Sequence, residues 1–396
     1  MGDGGSAVTL RRSPCGCRDG APGGAASGGS ASGNPGGGAS GADAGVGSGA
    51  DGGVASGSDG GVVSGAADGT APCACAGRRS RRSRAWAELL RLPALFSVPG
   101  DALAGVAATG SAPGSRTLLA IGSSLCLYEA GMALNDWADR DIDAVERPHR
   151  PLPSGRVRPA AALTAACALT GAGLALAARA GRPALAVAVP LAATVWVYDL
   201  GLKHTPAGPV AMGAARGLDL LLGAAATTGR ARPALPSAAL LGTHTLAVTT
   251  VSRQEAQGGS PLTPLAALAT TALLTRQVTR RSAPPTRGHG APAKDTGTAS
   301  ALKGPRRPPR NPGQESAALL TTALGAAYAA TTARPYFHAA LNPSPPLTQR
   351  AVGAGIRATI PLQATLVARS RSTATALLIA ALAPLGARFA KKVSVT

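Results

Sequence analysis

The sequence of 396 residues predicts an all-helical protein that crosses the membrane about nine or ten times. The first observation behind this fold class is a set of four segments of 18 to 20 residues that contain no Asp, Glu, Lys or Arg. A helix of that length covers roughly 30 Å, the thickness of the hydrocarbon core of a bilayer. These segments are 159–178, 233–252, 256–275 and 316–333. The second observation is a set of six apolar segments with only a few ionisable residues each: 88–109, 115–136, 183–201, 208–228, 350–368 and 372–388. A soluble Ala-rich protein is the alternative, but its helices would each carry a polar face, which these segments lack.

Two parts of the chain lie outside this membrane region. Residues 1–84 hold 25 of the 53 glycines, a single leucine and no Phe, Trp or Tyr. They cannot bury enough apolar surface to offset the entropy lost on folding, so we expect a disordered Gly/Ala/Ser-rich tail. The basic, Pro-rich segment 276–315 is interpreted as a disordered insertion that divides the membrane domain into 85–275 and 316–396.

The basic residues predict the orientation in the membrane. The run Arg78–Arg84 contains five arginines and immediately precedes the first span, and positive charge favours the cytoplasmic side. We therefore expect a multi-pass protein of the cell membrane, in contact with membrane lipid, with a cytoplasmic N-terminus. The formal net charge of +20 could also indicate a nucleic-acid partner. No aromatic residues alternate with the basic ones to stack on bases, so we expect no nucleic acid among the partners.

The most informative stretch lies at the end of the second predicted span. Asn135, Asp139 and Asp143 are four residues apart, so on a helix they share one face, and Asp136 lies beside them. Together with Asp141, four carboxylates fall within eight residues and repel one another unless a cation neutralises them. Such a dense set of oxygen ligands suits Mg²⁺, which binds through carboxylates and a substrate phosphate. At a membrane face, that phosphate could belong to a lipid diphosphate. The alternative is a solvated helix end whose acids pair with nearby arginines, Arg140 and Arg147.

Three blocks of sequence resemble a known family. The stretch from Asn135 to Val157, NDWADRDIDAVERPHRPLPSGRV, resembles the first aspartate-rich motif of the UbiA family of intramembrane prenyltransferases, N-D-x-x-D-x-x-x-D followed by R-P-l-p-s-G. The segment Tyr198–Lys203 resembles the family's Y-x-x-x-L-K block. The segment Arg216–Gly223 resembles the family's pattern on the fifth helix. The resemblance covers residues 86–396 apart from the insertion.

This resemblance implies a helical bundle around a central cavity. It also implies that a prenyl group moves from a prenyl diphosphate donor to an aromatic or other small-molecule acceptor, with Mg²⁺ neutralising the leaving diphosphate. By position, the metal ligands would be Asn135, Asp136, Asp139 and Asp143, with Glu255 from the second motif. The diphosphate would be bound by Arg147, Arg150, Lys203 and Arg253. The catalytic residues would be Asp136, Asp139 and Lys203.

The second acidic motif departs from the family's pattern. The family has a motif such as D-x-x-x-D-x-x-x-D after the sixth helix, whereas the segment Ser252–Gly259 of this chain, SRQEAQGG, has Glu255 as its one acid. Arg253 could supply positive charge in place of a second ion. Alternatively, the protein could bind or transport a lipid diphosphate or a small metabolite without transferring the prenyl group. A proton- or ion-coupled transporter is a third hypothesis, but the sequence lacks the paired broken helices and internal repeat typical of one. The segments Gly355–Arg357 and Pro361–Gln363 are similar to those of a divergent branch of the family linked to Ebo gene clusters.

Ionisable residues inside the predicted spans are functional candidates, because a charge is costly inside a membrane. They are Asp101, Glu129, Arg216, Asp219 and Arg357. Arg216 and Asp219 are three residues apart, so they either pair across one helical turn or line the cavity. We expect the acceptor or cavity to be contacted by Tyr128, Glu129, Tyr198, Arg216 and Asp219. His244 is interpreted as a packed, hydrogen-bonded histidine.

Overall fold

The structure is a computed structural model that describes residues 74–255, 259–280 and 312–393. Over these ranges the chain is helical and contains no strand, and the described residues belong to one compact unit. The helices are α1 Ala74–Leu89, α2 Val98–Ala108, α3 Ser115–Ala138, α4 Arg140–Glu146, α5 Pro159–Ala180, α6 Arg182–Val197, α7 Gly208–Thr228, α8 Leu235–Ser252, α9 Leu262–Thr279, α10 Pro312–Leu341, α11 Pro345–Arg369 and α12 Thr373–Val393. Short 3₁₀ segments occupy Leu92–Ser97 and Arg232–Ala234, and a π-helical turn occupies Tyr198–Leu202.

The all-helical membrane fold class is confirmed. Six helices, α3, α5, α6, α7, α8 and α11, are long and apolar enough to cross a bilayer, and two shorter apolar helical stretches are Leu95–Ala108 and Thr373–Gly386. Each of the ten segments predicted as spans overlaps a helix. Hydropathy therefore located the apolar helices of the described chain but not the polar helix α1, because a span needs about 20 apolar residues whatever its neighbours are.

The element boundaries differ from the prediction in three places. The predicted span 88–109 is interrupted, because Arg91 adopts the left-handed conformation (φ 48°, ψ 46°) and the chain continues as a 3₁₀ segment before α2 begins at Val98. The predicted span 256–275 begins only at Leu262, directly after Pro261. The predicted span 316–333 lies within α10, which is 30 residues long.

The predicted domain limits fall mostly outside the described residues. The tail prediction concerns residues 1–84, of which 1–73 lie outside the described chain, whereas residues 74–84 belong to helix α1 and not to a tail. The insertion prediction concerns 276–315, of which 281–311 are outside the described chain. The flanking residues of that segment continue α9 up to Thr279 and begin α10 at Pro312.

Small residues bring α2 and α7 into backbone contact at the centre of the bundle. A Cβ atom placed on Gly105 would lie 2.0 Å from the carbonyl oxygen of Leu220, and one on Gly223 would lie 2.2 Å from that of Ala102. Helices in a membrane associate by this close packing, because lipid supplies no hydrophobic force between them. The main core cluster joins α2 and α7 to α8, α9, α10 and α11 around the buried residues Leu220 and Leu362.

Candidate functional site

The aspartate motif lies where α3 ends and α4 begins. Asp139 occupies the junction with φ −88° and ψ 3°. Its amide donates to the carbonyl of Asn135 at 2.9 Å, and the amide of Asp143 donates to the carbonyl of Asp139 at 2.8 Å. The four-residue helical register therefore continues across the junction. The sequence spacing thus places Asn135, Asp139 and Asp143 on one side, as predicted.

Two motif acids are buried and share an arginine. Asp136 is 5 % exposed and Asp143 is 3 % exposed. Arg150 lies 2.7 Å from Asp143 and 3.5 Å from Asp136, measured from Nη1 to Oδ2 and Oδ1 respectively. Arg91 adds a contact to Asp136 at 3.3 Å, and Arg147 lies 3.8 Å from Asp143. Buried carboxylates require such partners, because an unpaired charge is expensive in a low-dielectric environment.

The third motif acid pairs with the lysine of the second sequence block. The π-helical turn after α6 has its diagnostic hydrogen bond from the Lys203 amide to the Tyr198 carbonyl, at 2.9 Å. It places the Lys203 Nζ atom, on a side chain only 9 % exposed, 2.6 Å from Oδ1 of Asp139. His204 approaches the same oxygen at 3.8 Å. Single π turns of this kind often occur at functional sites. The structure thus joins the first and second sequence blocks, which lie 64 residues apart by their numbering (203 − 139).

The predicted magnesium ligands do not form a ready metal site. Among residues 74–255, 259–280 and 312–393, no three His, Cys, Asp or Glu side chains are arranged to hold one ion. The reason is electrostatic, because Arg150 bridges Asp136 and Asp143 while Lys203 holds Asp139, so basic side chains neutralise the acids. The alternative, a solvated helix end whose acids pair with Arg140 and Arg147, is also only partly right. Arg147 approaches Asp143, but Arg140 pairs with the exposed Asp141 at 3.3 Å and stacks on Trp137.

The α8–α9 connection faces the aspartate motif through Glu255. Burial raises the pKa of Glu255, and the positive charge of Arg147 opposes this shift. Arg253 donates from Nη1 to the carbonyl of Thr205 and from Nη2 to that of His204, the latter at 3.4 Å. Glu255 and Arg253 thus lie beside the end of the bundle that carries Lys203, but Glu255 does not join the motif acids in one ligand group.

A cavity of about 380 Å³ opens next to Arg253. It lies between the start of α7 and the end of α8 and is mostly apolar. Its lining consists of Pro206, Pro209, Val210, Leu246, Thr250 and Arg253. An apolar space beside basic side chains is suited to a ligand that has a charged head and a hydrocarbon chain.

Of the two alternatives for Arg216 and Asp219, the structure does not show the pairing across one helical turn. Arg216 does not bridge Asp219 across one turn; its Nε lies 2.9 Å from Oδ2 of Asp101 on α2. Asp219 accepts a hydrogen bond from Ser124 on α3. Gln363 on α11 donates to Asp101 at 2.6 Å, so these contacts connect α2, α3, α7 and α11.

The other predicted acceptor residues lie at two depths. Tyr128 lies close enough to Arg91, Arg216, Asp101 and Glu129 to interact electrostatically with all four. Glu129 itself is buried, and neither of its carboxylate oxygens has a hydrogen-bond partner in the described part of the chain.

Tyr198 lies nearer the aspartate motif, within electrostatic reach of Asp199, Asp139 and Arg253. His244 is a packed histidine, as predicted, because Nε2 lies 3.0 Å from the Gly355 carbonyl and Nδ1 lies 3.0 Å from the Tyr328 hydroxyl.

Sequence reasoning missed two residues of the site. Arg91 contacts Asp136 from 45 positions earlier in the chain, and no local pattern marks it. Asp199 is buried in the π turn, where a Cβ placed on Gly131 would lie 3.9 Å from its Oδ2 atom. It interacts electrostatically with Lys203 and Asp139. The sequence feature that could have identified Asp199 is its position, four residues before Lys203 at the end of an apolar span.

Comparisons with known proteins agree with these blocks of sequence. A family model described as the UbiA prenyltransferase family matches residues 94–279. A digeranylgeranylglyceryl phosphate synthase of Methanothrix thermoacetophila is 38% identical over 112 residues, which are 28% of this chain and 42% of the relative. A protoheme IX farnesyltransferase of Thermosynechococcus vestitus is 41% identical over 145 residues, 35% of this chain and 45% of the relative. The chain therefore spans less than half the length of these curated relatives.

Solved structures of UbiA homologues also resemble the chain. The apo form of a homologue from Aeropyrum pernix K1 has a TM-score of 0.45 at 20% identity, over 66% of this chain and 96% of that one. A homologue from Archaeoglobus fulgidus bound to DMAPP and Mg²⁺ has a TM-score of 0.45 at 16% identity, over 73% of this chain and 99% of that one. Residues 94–279, a little under half of the chain, match the model of the UbiA prenyltransferase family, and the sequence blocks that resemble this family's motifs lie within them.

Proposed function

We propose that this protein is a membrane prenyltransferase that moves a prenyl group from a prenyl diphosphate to a small-molecule acceptor and depends on Mg²⁺. The observation that carries the proposal is the convergence of Asp136, Asp139 and Asp143 with Arg150 and Lys203 at one end of the bundle. Carboxylates whose oxygens can bind a metal ion then lie beside arginine and lysine side chains that can bind phosphate, as a metal-assisted diphosphate site requires.

The basic side chains bind the diphosphate by changing partners. Arg150 and Lys203, now paired with carboxylates, carry the N–H groups that phosphate oxygens accept, and Arg150 can bind two oxygens through its planar fork. Arg147 and Arg253 lie beside them and add positive charge. The diphosphate thereby replaces carboxylates as the partner of these bases.

The acids released by this exchange have the ligand chemistry that Mg²⁺ prefers. Asn135, Asp136, Asp139 and Asp143 would hold the ion, and Glu255 is the acid nearest to them from the α8–α9 connection. When bound, the ion would neutralise negative charge on the leaving diphosphate. The solved homologue with DMAPP and Mg²⁺ has this pair of ligands together, which supports the same pairing here.

The donor's hydrocarbon chain and the acceptor occupy the apolar part of the bundle. Tyr128 and Glu129 lie on α3 before the aspartate motif, so they are placed to contact an acceptor. Tyr198 lies next to the diphosphate end. Arg216 and Asp219 contact the acceptor. Their positions are held by the contact of Arg216 with Asp101 and by the hydrogen bond from Ser124 to Asp219. We also propose that the aspartate end faces the cytoplasm, because the arginine-rich segment 137–158 lies there.

A transfer assay tests the function. Full-length protein in liposomes is incubated with radiolabelled prenyl diphosphates, an extract of small molecules and Mg²⁺, and labelled product is measured. We expect Asp139→Ala to abolish product and the control Asp141→Asn, at an exposed acid paired with Arg140, to retain it. Equal product from the unchanged protein and Asp139→Ala would exclude the proposal.

A second candidate is a binder or carrier of a lipid diphosphate or small metabolite that catalyses no transfer. It is favoured by the single acid, Glu255, in segment 252–259 and by the absence of a preformed three-acid group in the described residues. Diphosphate binding without any product would support this candidate. A transfer rate that changes when Glu255→Gln is introduced would exclude it, because a passive binder has no turnover to alter.

A further inference from the structure

The carboxylate of Glu129 is the most unusual polar group within the membrane segments. The residue is 8 % exposed, and neither Oε1 nor Oε2 has a hydrogen-bond partner in the described residues. Buried polar groups in native proteins nearly always have partners, because each unpaired one costs free energy. A carboxyl group that does not stabilise the fold points to a ligand that supplies the missing hydrogen bonds.

Glu129 lies on the same side of α3 as Asp136. It precedes Asp136 by seven residues, which is close to two full turns, so both side chains leave the helix in nearly the same direction. The separation along the axis is about 10 Å. A small acceptor between the two residues would contact Glu129 at one end and bring its nucleophile towards the diphosphate at the other.

The charge balance around Glu129 disfavours an anionic acceptor, since Arg91, which is within electrostatic reach of Tyr128, already pairs with Asp136. Three acids are buried in the interior of α2, α3 and α7, namely Asp101, Glu129 and Asp219. The one partly buried base among the described residues of these helix interiors is Arg216, and Asp101 already neutralises it at 2.9 Å. An acceptor phosphate or carboxylate would therefore meet uncompensated carboxyl groups in a low-dielectric region.

A purely structural role does not account for Glu129. The neighbouring buried polar groups connect helices: Asp101 binds Arg216 and Gln363, and Asp219 binds Ser124. Glu129 makes no such contact, although it is within electrostatic reach of Tyr128, which also senses Arg216 and Asp101. Glu129 therefore belongs to the same polar region but remains available to a ligand.

We infer that Glu129 binds the acceptor, and that the acceptor is a neutral or cationic molecule whose polar head donates hydrogen bonds through amine or hydroxyl groups. This inference rests on the proposed function and narrows its acceptor class. It separates this chain from a relative named for a glyceryl phosphate product, since a phosphate is an anion. The Glu129 carboxylate accepts hydrogen bonds from the acceptor's N–H or O–H groups and so orients the acceptor's nucleophile towards Asp136.

Carbodiimide labelling tests the inference without knowing the natural acceptor. Full-length protein in liposomes is treated with a membrane-permeant carbodiimide, which forms adducts with buried carboxyl groups. All adducts at Glu129, including the amide formed when an amine captures the activated carboxyl group, are measured by mass spectrometry relative to those at the exposed Asp141, which corrects for reagent consumed by an amine or carboxylate probe. The probes are hexylamine as a cationic donor, 1,2-hexanediol as a neutral donor and hexanoate as an anion of similar size. At about ten times its Kd, a bound probe should slow labelling about tenfold, because only free sites react.

The expected result is protection of Glu129 by hexylamine or 1,2-hexanediol and no protection by hexanoate. Hexylamine should raise the thermal unfolding midpoint of the unchanged protein and of Asp141→Asn, but not that of Glu129→Gln, which keeps the side-chain size. Equal protection by hexanoate, or no protection by either donor probe, would overturn the inference. Pyrophosphate binding in the same samples separates the two proposals. If pyrophosphate binds but neither hexylamine nor 1,2-hexanediol protects Glu129, only the inferred acceptor class is refuted. If either probe protects Glu129 but pyrophosphate does not bind, only the proposed transferase function is refuted.

Discussion

Replacing Asp143 with asparagine should change diphosphate binding in opposite directions with and without Mg²⁺. In the structure, Asp143 holds Arg150 through a contact of 2.7 Å, and Arg150 is the base best placed to bind a phosphate. The asparagine side chain has almost the same shape but no charge. It therefore releases Arg150 from its strongest partner while leaving the α3–α4 junction in place.

The magnitude follows from that contact. A hydrogen bond to a charged group contributes about 1.5–3 kcal/mol net. Arg150 retains Asp136 at 3.5 Å and its side chain is 21% exposed, so part of this energy is recovered after the substitution. A net release of about 1–2 kcal/mol corresponds to a gain of about 5–30-fold in pyrophosphate affinity in metal-free buffer. With Mg²⁺ present, affinity should fall at least about tenfold, because changing even the residues that support metal ligands costs about 10–100-fold.

Isothermal titration of full-length protein in nanodiscs with pyrophosphate measures both effects. EDTA defines the metal-free condition, and Asp141→Asn serves as the matched control, since it removes an acid of the same segment that is 83% exposed. Arg150→Lys should weaken binding in both buffers, because it keeps the charge and loses the fork. If Asp143→Asn changes the pyrophosphate affinity in the same direction in both buffers, or in neither, the hypothesis that Arg150 leaves Asp143 to bind the diphosphate is refuted.

Three further outcomes follow from packing and titration. Gly105→Ala should lower stability by about 1–3 kcal/mol in thermal unfolding, since its Cβ would meet the Leu220 carbonyl, whereas Gly171→Ala, with nothing within 4 Å, should be neutral or stabilising. His244→Phe should cost about 1–3 kcal/mol in the same assay, because it removes two buried hydrogen bonds, and a loss below about 0.5 kcal/mol would contradict this. Burial raises the pKa of Glu255, so the folded state holds that proton more tightly than the unfolded state, and stability declines as pH rises from the ordinary glutamate pKa through the raised one. Glu255→Gln should remove this decline in unfolding midpoints recorded against pH, and an unchanged pH profile would count against it.

Sequence patterns predicted the helices well because hydropathy is a local property. A segment such as 159–178 needs only its own apolar side chains to define a span, and α5 indeed covers Pro159–Ala180. The break at Arg91 was not predictable in this way. It arises from the left-handed backbone of one non-glycine residue, and nothing in the segment 88–109 indicates that conformation.

The candidate site was predictable in composition but not in pairing. The spacing of Asn135, Asp139 and Asp143 placed them on one side correctly, because the helical register is local. Which base meets which acid depends on tertiary packing. No local pattern could predict that Arg216 contacts Asp101 instead of Asp219, since that contact joins α7 to α2.

The paired acids and bases also imply that metal and diphosphate binding depend on each other. Arg150 contacts both buried acids, Asp136 and Asp143, so a diphosphate that takes Arg150 leaves these carboxylates with only the longer contacts to Arg91 at 3.3 Å and Arg147 at 3.8 Å. A divalent ion then binds more tightly than it would to the paired acids. By thermodynamic reciprocity, the ion must raise diphosphate affinity by the same factor, because occupied acids cannot compete for the arginine. On the proposed function, the site would hold neither ligand firmly alone, and the basic side chains paired with the acids in this structure would be the source of that coupling.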